Sequence, residues 1–515
     1  MAILSYPLPL LLLSVLAFLF FSQFRLPFTP IWDPNDQWDA LNFPVRMWAG
    51  EVPYRDFYER LTPGTAVVHL LFFRLFGLRN WIPNLHIIFL GLGLTWLMVI
   101  VSRKVIRESP FLTLLPSMLF LAFAFLPHME DTHRWYSCLT TLAALAVVMK
   151  ERTRWRLGAA GFFSGLASFF TQTQGVVAVM GLGAFLLWEV LTRRGQRKDS
   201  LQQWACLLGA WAATVLASDA YFIGKAGLGR FIDCVVRIPV LYLSSVDRAN
   251  TWHVYLSEMP HLPHWYSLPS LGLFLFIYPC VPFVYIISLL SFPRQVVGHE
   301  EKKARLVLLN FTGLSLFAGV ALAPSNFRLC SVSPPAFIAL ICLVCEYERL
   351  RRIAAAALAV AALYFLVNYP LRHQALSPLY LDLPQGRMAF LPRSVTEYEL
   401  MRWLSARTRP GEPFLTTHGG YFLYPLALRQ VGEAFGYTNT RATRPEWVQN
   451  AVAALSRFRV RFVAWPPAET DPKFYIPQED SLSPLKDYVM KNYHLVKRTG
   501  GDEANGPEEI WERNP

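Results

Sequence analysis

Long runs of apolar residues recur along the first 370 positions of the chain, separated by short polar stretches. A run of about 20 apolar residues can cross the hydrocarbon core of a bilayer as a helix, and shorter runs span beside other helices. The pattern therefore predicts about eleven transmembrane helices. The predicted spans are Leu4–Phe24, Trp81–Val101, Phe111–Leu126, Trp135–Met149, Leu157–Phe170, Val176–Leu191, Leu201–Phe222, Tyr266–Phe292, Leu306–Leu322, Pro334–Val344 and Ile353–Val367.

Beyond the last of these runs the pattern becomes that of a soluble chain. Pro413–Thr417 and Val460–Trp465 have the composition of strands, and Glu446–Phe458 has that of a helix. Strands that alternate with helices favour a small α/β domain. We therefore predict an α-helical, polytopic membrane domain over residues 1–370 and a soluble extracytoplasmic α/β domain over residues 371–515.

The placement of charge agrees with a multi-pass membrane protein. Only 16% of the residues are charged, against about 25% in an average soluble protein. The net charge of +12 comes largely from basic clusters in alternate loops, so it follows the positive-inside rule and requires no nucleic-acid partner. The rule puts these loops and the N-terminus in the cytoplasm of a plasma (inner) membrane, and the first loop and the C-terminal domain outside. The clusters are Arg103, Lys104 and Arg107; Lys150, Arg152, Arg154 and Arg156; Arg193, Arg194, Arg197 and Lys198; Arg294, Lys302, Lys303 and Arg305; and Arg349, Arg351 and Arg352.

The first outer loop, residues 25–80, is too long for a simple connector. Asn42–Ala49 and Gly64–Phe76 have the pattern of short amphipathic helices, and the second is too short to span, so we expect it at the membrane interface. Three aspartates stand just beyond the first predicted span: Asp33, Asp36 and Asp39. A carboxylate there can act as a general base or hold a cation or a sugar. A solvated loop whose aspartates cap short helices explains the same pattern.

The second outer loop carries another acidic pair, Glu130 and Asp131, followed by His133 and Arg134. Both acidic loops are predicted on the same side of the membrane. Two acidic loops that converge on an outer cavity beside arginines would form an arrangement typical of an active site. Two unrelated polar turns remain the alternative.

The first outer loop also carries a recognisable motif. Asp36-Gln37 is followed by Val52-Pro-Tyr-Arg-Asp-Phe-Tyr58 and then by Thr62-Pro-Gly64 before an apolar helix. This order resembles the GT-C type membrane glycosyltransferases, in the bacterial branch related to protein O-mannosyltransferases and to the lipid A aminoarabinose transferase. The family pair is commonly Asp-Glu and its turn Pro-Pro-Gly, so this chain departs from the pattern at Gln37 and Thr62. The resemblance is strongest over residues 30–180.

The resemblance implies a many-helix membrane fold and a polyprenyl-phosphate sugar donor used on the outer face. It implies that Asp36 is the catalytic base, and it aligns Glu130 and Asp131 with the family's second acidic motif, where we expect them to bind substrate. Charge and predicted side add three candidates for binding the phosphate: Arg55, Arg134 and Arg328. A divalent cation held by Glu130, Asp131 and His133 remains open as a cofactor.

These expectations define a mechanism and its competitors. A base takes the acceptor's proton while cations stabilise the leaving phosphate, so the anomeric centre inverts. The acceptor would be an envelope lipid, glycan or protein. A transporter or flippase of a lipid-linked sugar is one alternative, although the predicted spans carry few charges apart from Asp219. A catalytically silent scaffold of envelope assembly is the other. No P-loop or dinucleotide-binding glycine motif is present in the sequence.

Overall fold

The computed structural model describes residues 7–33, 36–106, 108–192, 197–240, 280–295, 300–321, 324–417, 420–432, 444–465, 482–499 and 509–515. The helices among them are α1 (Pro7–Gln23), α2 (Asp36–Ala40), α3 (Asn42–Trp48), α4 (Gly64–Phe76), α5 (Ile82–Val105), α6 (Pro110–Phe120), α7 (His133–Val148), α8 (Arg154–Phe170), α9 (Gln172–Thr192), α10 (Arg197–Ala226), α11 (Leu228–Ile232), α12 (Cys280–Gln295), α13 (Glu300–Val320), α14 (Asn326–Ser331), α15 (Pro334–Glu346), α16 (Glu348–Ala375), α17 (Val395–Ser405), α18 (Pro445–Arg457) and α19 (Ser483–Asn492). The strands are β1 (Phe24–Arg25), β2 (Thr29–Trp32), β3 (Leu379–Leu381), β4 (Met388–Phe390), β5 (Pro413–Thr416), β6 (Arg429–Gln430), β7 (Phe462–Trp465), β8 (Tyr493–Arg498) and β9 (Glu509–Arg513).

The chain divides into two compact units. The helical unit comprises the described residues of 1–22, 85–219 and 250–374. The mixed unit comprises those of 23–84, 220–249 and 375–515, so it contains both the first loop and the C-terminal segment. The predicted division at residue 370 stays a prediction.

Each of the eleven predicted spans overlaps a described helix, although residues 4–6 of the first, 266–279 of the eighth and 322 of the ninth lie outside the described part. Six of the described helices are long and apolar enough to cross a membrane by length and composition. They are Ile82–Val105, Pro110–His128, Gln172–Thr192, Leu201–Ala226, Glu301–Val320 and Arg351–Ala375. The expectation of a helical, multi-pass membrane protein is therefore confirmed.

Small residues allow the helices of the helical unit to approach closely. Gly161 and Gly165 are four positions apart on α8, so they share one face of that helix. A Cβ atom at Gly161 would meet the backbone carbonyl oxygen of Leu207 on α10, and one at Gly165 would lie 2.5 Å from Cβ of Thr214. Between membrane helices, where lipid tails are as apolar as the side chains, such close packing replaces the hydrophobic effect as a driving force.

Two sheets organise the mixed unit. In the first, of order β1-β2-β4-β3, strand β2 of the first loop pairs in parallel with β4, so Ile31 lies opposite Ala389 and Trp32 opposite Phe390. The second has the order β6-β5-β7-β9-β8, in which β5 is parallel to both β6 and β7, and β9 is antiparallel to β7 and β8. With helices α17, α18 and α19 it forms the α/β segment that the sequence predicted.

One apolar core joins the first loop to the C-terminal segment within the mixed unit. Trp32 and Trp38 are fully buried in the same cluster as Phe390, Leu400 and Phe414. The first loop therefore forms a core with residues that follow it by more than 350 positions, and its shape depends on them.

Replacing Gly161 by Ala is expected to destabilise the protein, because the new methyl group has to displace the backbone of α10. Gly158→Ala is the matched control: it lies one turn earlier on α8 and has nothing within 4 Å of its added Cβ. The measurement is the midpoint of thermal unfolding in detergent. A midpoint lowered equally by both substitutions would show that the α8–α10 contact is not the cause.

Candidate active site

The loop that carries Asp36 is held from both ends by aromatic packing in the mixed unit. The rings of Trp32 and Trp38 stack with centroids 4.5 Å apart, and Trp32 also stacks on Phe390 at 5.6 Å. The indole N–H of Trp38 donates to the carbonyl oxygen of Asp33 at 2.9 Å. Because Trp32 ends β2 and Trp38 lies in α2, these contacts hold the end of β2 against α2, which Asp36 opens.

The three aspartates of this loop have different surroundings. Asp33 makes an ion pair with Arg393, with 2.6 Å between Oδ1 and Nη2. Asp39 accepts a hydrogen bond of 2.5 Å from the backbone N–H of Gly420. Asp36 is the exposed one, at the first residue of α2. The expected capping role therefore does not describe Asp33 and Asp39, which bind the C-terminal segment instead.

Burial shifts three carboxyl groups of the first loop toward the neutral form. Burial raises the pKa of Asp33 against the opposing charge of Arg393. It raises the pKa of Asp39 to about 7, with the nearby charge of Asp36 acting in the same direction and the Gly420 N–H opposing both. Burial likewise raises the pKa of Glu59 to about 7, against the hydrogen bond that its Oε1 accepts from the Leu61 N–H. The carboxyl groups of Asp39 and Glu59 therefore have pKa values near neutral pH.

The motif around Arg55 folds into a tight turn. Tyr54 has a φ of +68°, which L-residues rarely adopt, and its hydroxyl donates to the carbonyl oxygen of Leu61 at 2.6 Å. Asp56 accepts from the Val52 N–H at 2.7 Å and from two guanidinium nitrogens of Arg55, at 2.9 and 2.7 Å. Asp56 thus stabilises the turn, and the Arg55 side chain remains 46% exposed.

In the helical unit, Asp131 is fully buried. Its Oδ1 accepts from the Tyr136 hydroxyl at 2.7 Å, and its Oδ2 lies 2.7 Å from Nδ1 of His86. Glu130 beside it is also buried. A carboxylate whose two oxygens both have partners positions its neighbours.

Two of the arginines predicted to bind phosphate, Arg134 and Arg328, lie on segments that pack on each other within the helical unit. The Arg134 guanidinium lies over the ring of Phe327 at 5.2 Å, and His128 stacks on the same ring at 4.7 Å. His128 Nε2 lies 3.1 Å from Oδ1 of Asn326. Arg328 follows directly on α14 and is partly exposed. The second outer loop therefore packs on the turn that carries Arg328.

The set of Glu130, Asp131 and His133 gains no support as a metal site from these contacts, because Asp131 lies against His86 and not against His133. His133 Nδ1 lies 2.7 Å from the Thr171 hydroxyl, while the Asp131 oxygens contact His86 and Tyr136. Each of these two donors thus has its own protein partner within the described residues. Convergence of the two acidic loops on one cavity stays a prediction.

Sequence reasoning missed His86 and Arg393. His86 lies two positions after Asn84, inside a run that is otherwise apolar, and two polar residues in such a run are the signal that could have revealed it. Arg393 gave no such signal, because an exposed arginine in a soluble segment is ordinary.

The helical bundle, the short helices of the first loop and the α/β segment together have the fold of GT-C membrane glycosyltransferases. In particular, the chain is similar to ArnT from Cupriavidus metallidurans, whose crystal structure bound to undecaprenyl phosphate matches with a TM-score of 0.59 and 11% identity over 98% of both chains. The apo structure of that protein matches with a TM-score of 0.58 and 12% identity over 98% of this chain and 97% of the other. The mycobacterial arabinofuranosyltransferase AftD covers 98% of this chain and 41% of its own, with a TM-score of 0.48 and 12% identity. Comparison with protein-family models and with curated proteins gives no significant match.

The raised pKa of Asp39 predicts a pH-dependent stability. Because the folded state binds this proton more tightly than the unfolded state, the stabilisation is present below pH 4 and is lost as pH rises through about 7. Glu59 acts in the same direction. The double variant Asp39→Asn, Glu59→Gln should flatten the fall in unfolding midpoint between pH 4 and pH 8. Glu399→Gln, at an exposed carboxyl of α17, is the control, and an unchanged slope in the double variant would contradict the assignment.

Proposed function

We propose that the protein is a membrane glycosyltransferase that moves a sugar from a polyprenyl-phosphate donor to an envelope acceptor outside the cytoplasm. The observation that carries the proposal is the likeness over 98% of both chains to ArnT, which was solved with undecaprenyl phosphate bound. A lipid-linked donor also suits a chain in which six of the described helices are long and apolar enough to cross a membrane.

Asp36 is the proposed general base. Of the three aspartates in its loop, it is the exposed one, while Asp33 and Asp39 bind Arg393 and Gly420. The stacking of Trp32 on Trp38 holds β2 and α2, the elements that flank Asp36. A base requires this kind of preorganisation. Proton removal from the acceptor hydroxyl, with attack on the face opposite the phosphate, inverts the anomeric centre.

Stabilisation of the leaving phosphate is proposed for Arg134 and Arg328, with Arg55 as a further candidate. A guanidinium offers two parallel donors that match phosphate oxygens. Arg134 and Arg328 are carried by segments that pack on each other through Phe327, so the bundle presents both from one place. Arg55 is partly neutralised by Asp56, which favours the other two.

Glu130 and Asp131 are proposed to position this region, and direct substrate contact is less favoured. Asp131 connects α5 to α7 through His86 and Tyr136, and α7 begins with His133 and Arg134. The geometry of the Asp131 contacts thus sets the position of Arg134. A divalent cation at these residues is not needed for this mechanism.

The proposed topology predicts the behaviour of a reporter. The basic loops alternate along the chain, so the N-terminus is expected in the cytoplasm and the C-terminus outside. A fluorescent protein that matures only in the cytoplasm should be dark after Pro515 and bright when fused to the N-terminus. Fluorescence at the C-terminal fusion would remove the outer-face mechanism.

Asp36→Asn tests the mechanism most directly. The change keeps the side-chain shape but removes its basicity, so transfer is expected to fall by roughly 10²–10⁴-fold while folding survives. The assay is sugar transfer by purified protein from a polyprenyl-phosphate sugar, screened against envelope fractions as acceptor. Near-normal turnover by the variant would refute the role of Asp36, and a transporter or a silent scaffold would show no transfer even in wild type.

Asp33→Asn and Asp39→Asn are the matched controls in the same loop. The first loses a partly exposed ion pair with Arg393, which contributes roughly 0–1 kcal/mol. The second keeps an oxygen that accepts from Gly420 and resembles the protonated form that Asp39 already populates near pH 7. Both should retain most of the activity. An equal loss at all three positions would point to a shared cation or a distorted loop.

A further inference from the structure

The helical unit has a groove of about 500 Å³ between α5, α7 and α8, and none of the residues proposed for sugar transfer lines it. Its walls are apolar or small side chains, among them Gly93, Trp96, Ile100, Ala143, Val147 and Phe163. They recur at the spacing of one helix face, so each helix contributes a single stripe. Trp96 remains 48% exposed along the groove.

The groove has the length of one bilayer leaflet. Its lining on α7 and beyond runs from Leu139 to Lys150, which is roughly 16 Å at the rise of an α-helix. The hydrocarbon core of a bilayer is about 30 Å thick, so one leaflet takes about half of that. An acyl chain lying along the groove therefore matches its length and its apolar walls.

One end of the groove is basic and aromatic. Lys150 and Arg156 line it there together with Trp155, which is 68% exposed, as expected of an indole at the headgroup level. Within the described residues, the Lys150 ammonium has no hydrogen bond or ion pair. Arg156 lies 3.8 Å from an oxygen of Glu151, whose side chain is 86% exposed, so this pair is weak.

A neighbouring arginine of the same loop behaves differently. Arg152 lies 3.3 Å from a carboxylate oxygen of Glu189 and over the ring of Phe185 at 5.0 Å. It lies outside the groove lining and binds α9 instead. Lys150 and Arg156 thus differ from Arg152 in that they lie at the end of the apolar groove.

We propose that this groove is a binding site for an anionic phospholipid of the phosphatidylglycerol type. One acyl chain lies along α5, α7 and α8, and the phosphate contacts Lys150 and Arg156. Basic pockets at the cytoplasmic ends of membrane helices are suited to such headgroups, and the positive-inside pattern puts this loop in the cytoplasm. A zwitterionic phosphatidylethanolamine brings its own ammonium to the two cations and is disfavoured.

The site is separate from the proposed sugar transfer. His133 opens α7, and Lys150 lies 17 residues later, or roughly 25 Å along the axis. A lipid at the basic end therefore has no contact with the residues assigned to the donor phosphate. Its expected effect is on stability, since a ligand that binds only the folded state raises the unfolding midpoint.

The test uses the intact protein in detergent with equal amounts of phosphatidylglycerol and phosphatidylethanolamine. Native mass spectrometry counts the lipids retained, and thermal unfolding is followed with each lipid alone. Wild type should retain phosphatidylglycerol preferentially and unfold at a higher midpoint with it. Lys150→Gln with Arg156→Gln should weaken retention by roughly 10- to 30-fold. Ala143→Phe, which fills the groove but keeps both charges, should weaken it similarly.

Arg154→Gln is the control, because it removes one charge from the same loop without lining the groove. It should retain the lipid as wild type does. Equal retention of both lipids by wild type would overturn the proposal, as would wild-type retention by the double variant. If the double variant lost lipid retention and Ala143→Phe did not, the lipid would contact only the surface charges, and the proposed groove site would be overturned. Unfolding without lipid checks that every variant is folded.

Discussion

The parallel pairing of β2 with β4 is the constraint on which the candidate base depends. It joins the start of the first loop to a strand that follows it by more than 350 residues, with Trp32 opposite Phe390. The pairing carries Trp32 into the core of the mixed unit, where it stacks on Trp38 and thereby holds α2, which Asp36 opens. Two further contacts from the same segment, Arg393 on Asp33 and Gly420 on Asp39, hold the neighbouring carboxylates. The exposure of Asp36 is a consequence of how its neighbours are bound.

The helical unit meets a different constraint, because the hydrophobic effect does not drive helices together in lipid. Close approach at Gly161 and Gly165 supplies packing, and the indole N–H of Trp211 donates to the Ser168 hydroxyl at 3.1 Å between the same two helices. The network of His86, Asp131 and Tyr136 adds buried hydrogen bonds between α5, α7 and the loop before α7. Such a network rigidifies the end of the bundle where α7 begins with His133 and Arg134.

Local features were predictable from the sequence, and long-range partners were not. Gly64–Phe76 was predicted as a helix between Pro63 and Gly77, and α4 has those bounds, because proline and glycine mark helix ends by their own backbone preferences. Strand β7 lies within the predicted Val460–Trp465, because aromatic and β-branched residues favour strands. The partners of Asp33 and Asp39 are set by tertiary packing across several hundred residues, which no local pattern encodes. The role of Asp36 came from a family resemblance and stays a proposal.

The distribution of these contacts has a consequence for assembly. The segment with Asp36 is made early, but β4, Arg393 and Gly420 are among the later parts of the chain. Contacts between distant residues cost more loop entropy and form slowly. The first loop therefore cannot take its final shape until the C-terminal segment has been made and has paired with it. A candidate site built in this way is complete only in a fully synthesised chain, which couples its proposed chemistry to the integrity of the mixed unit.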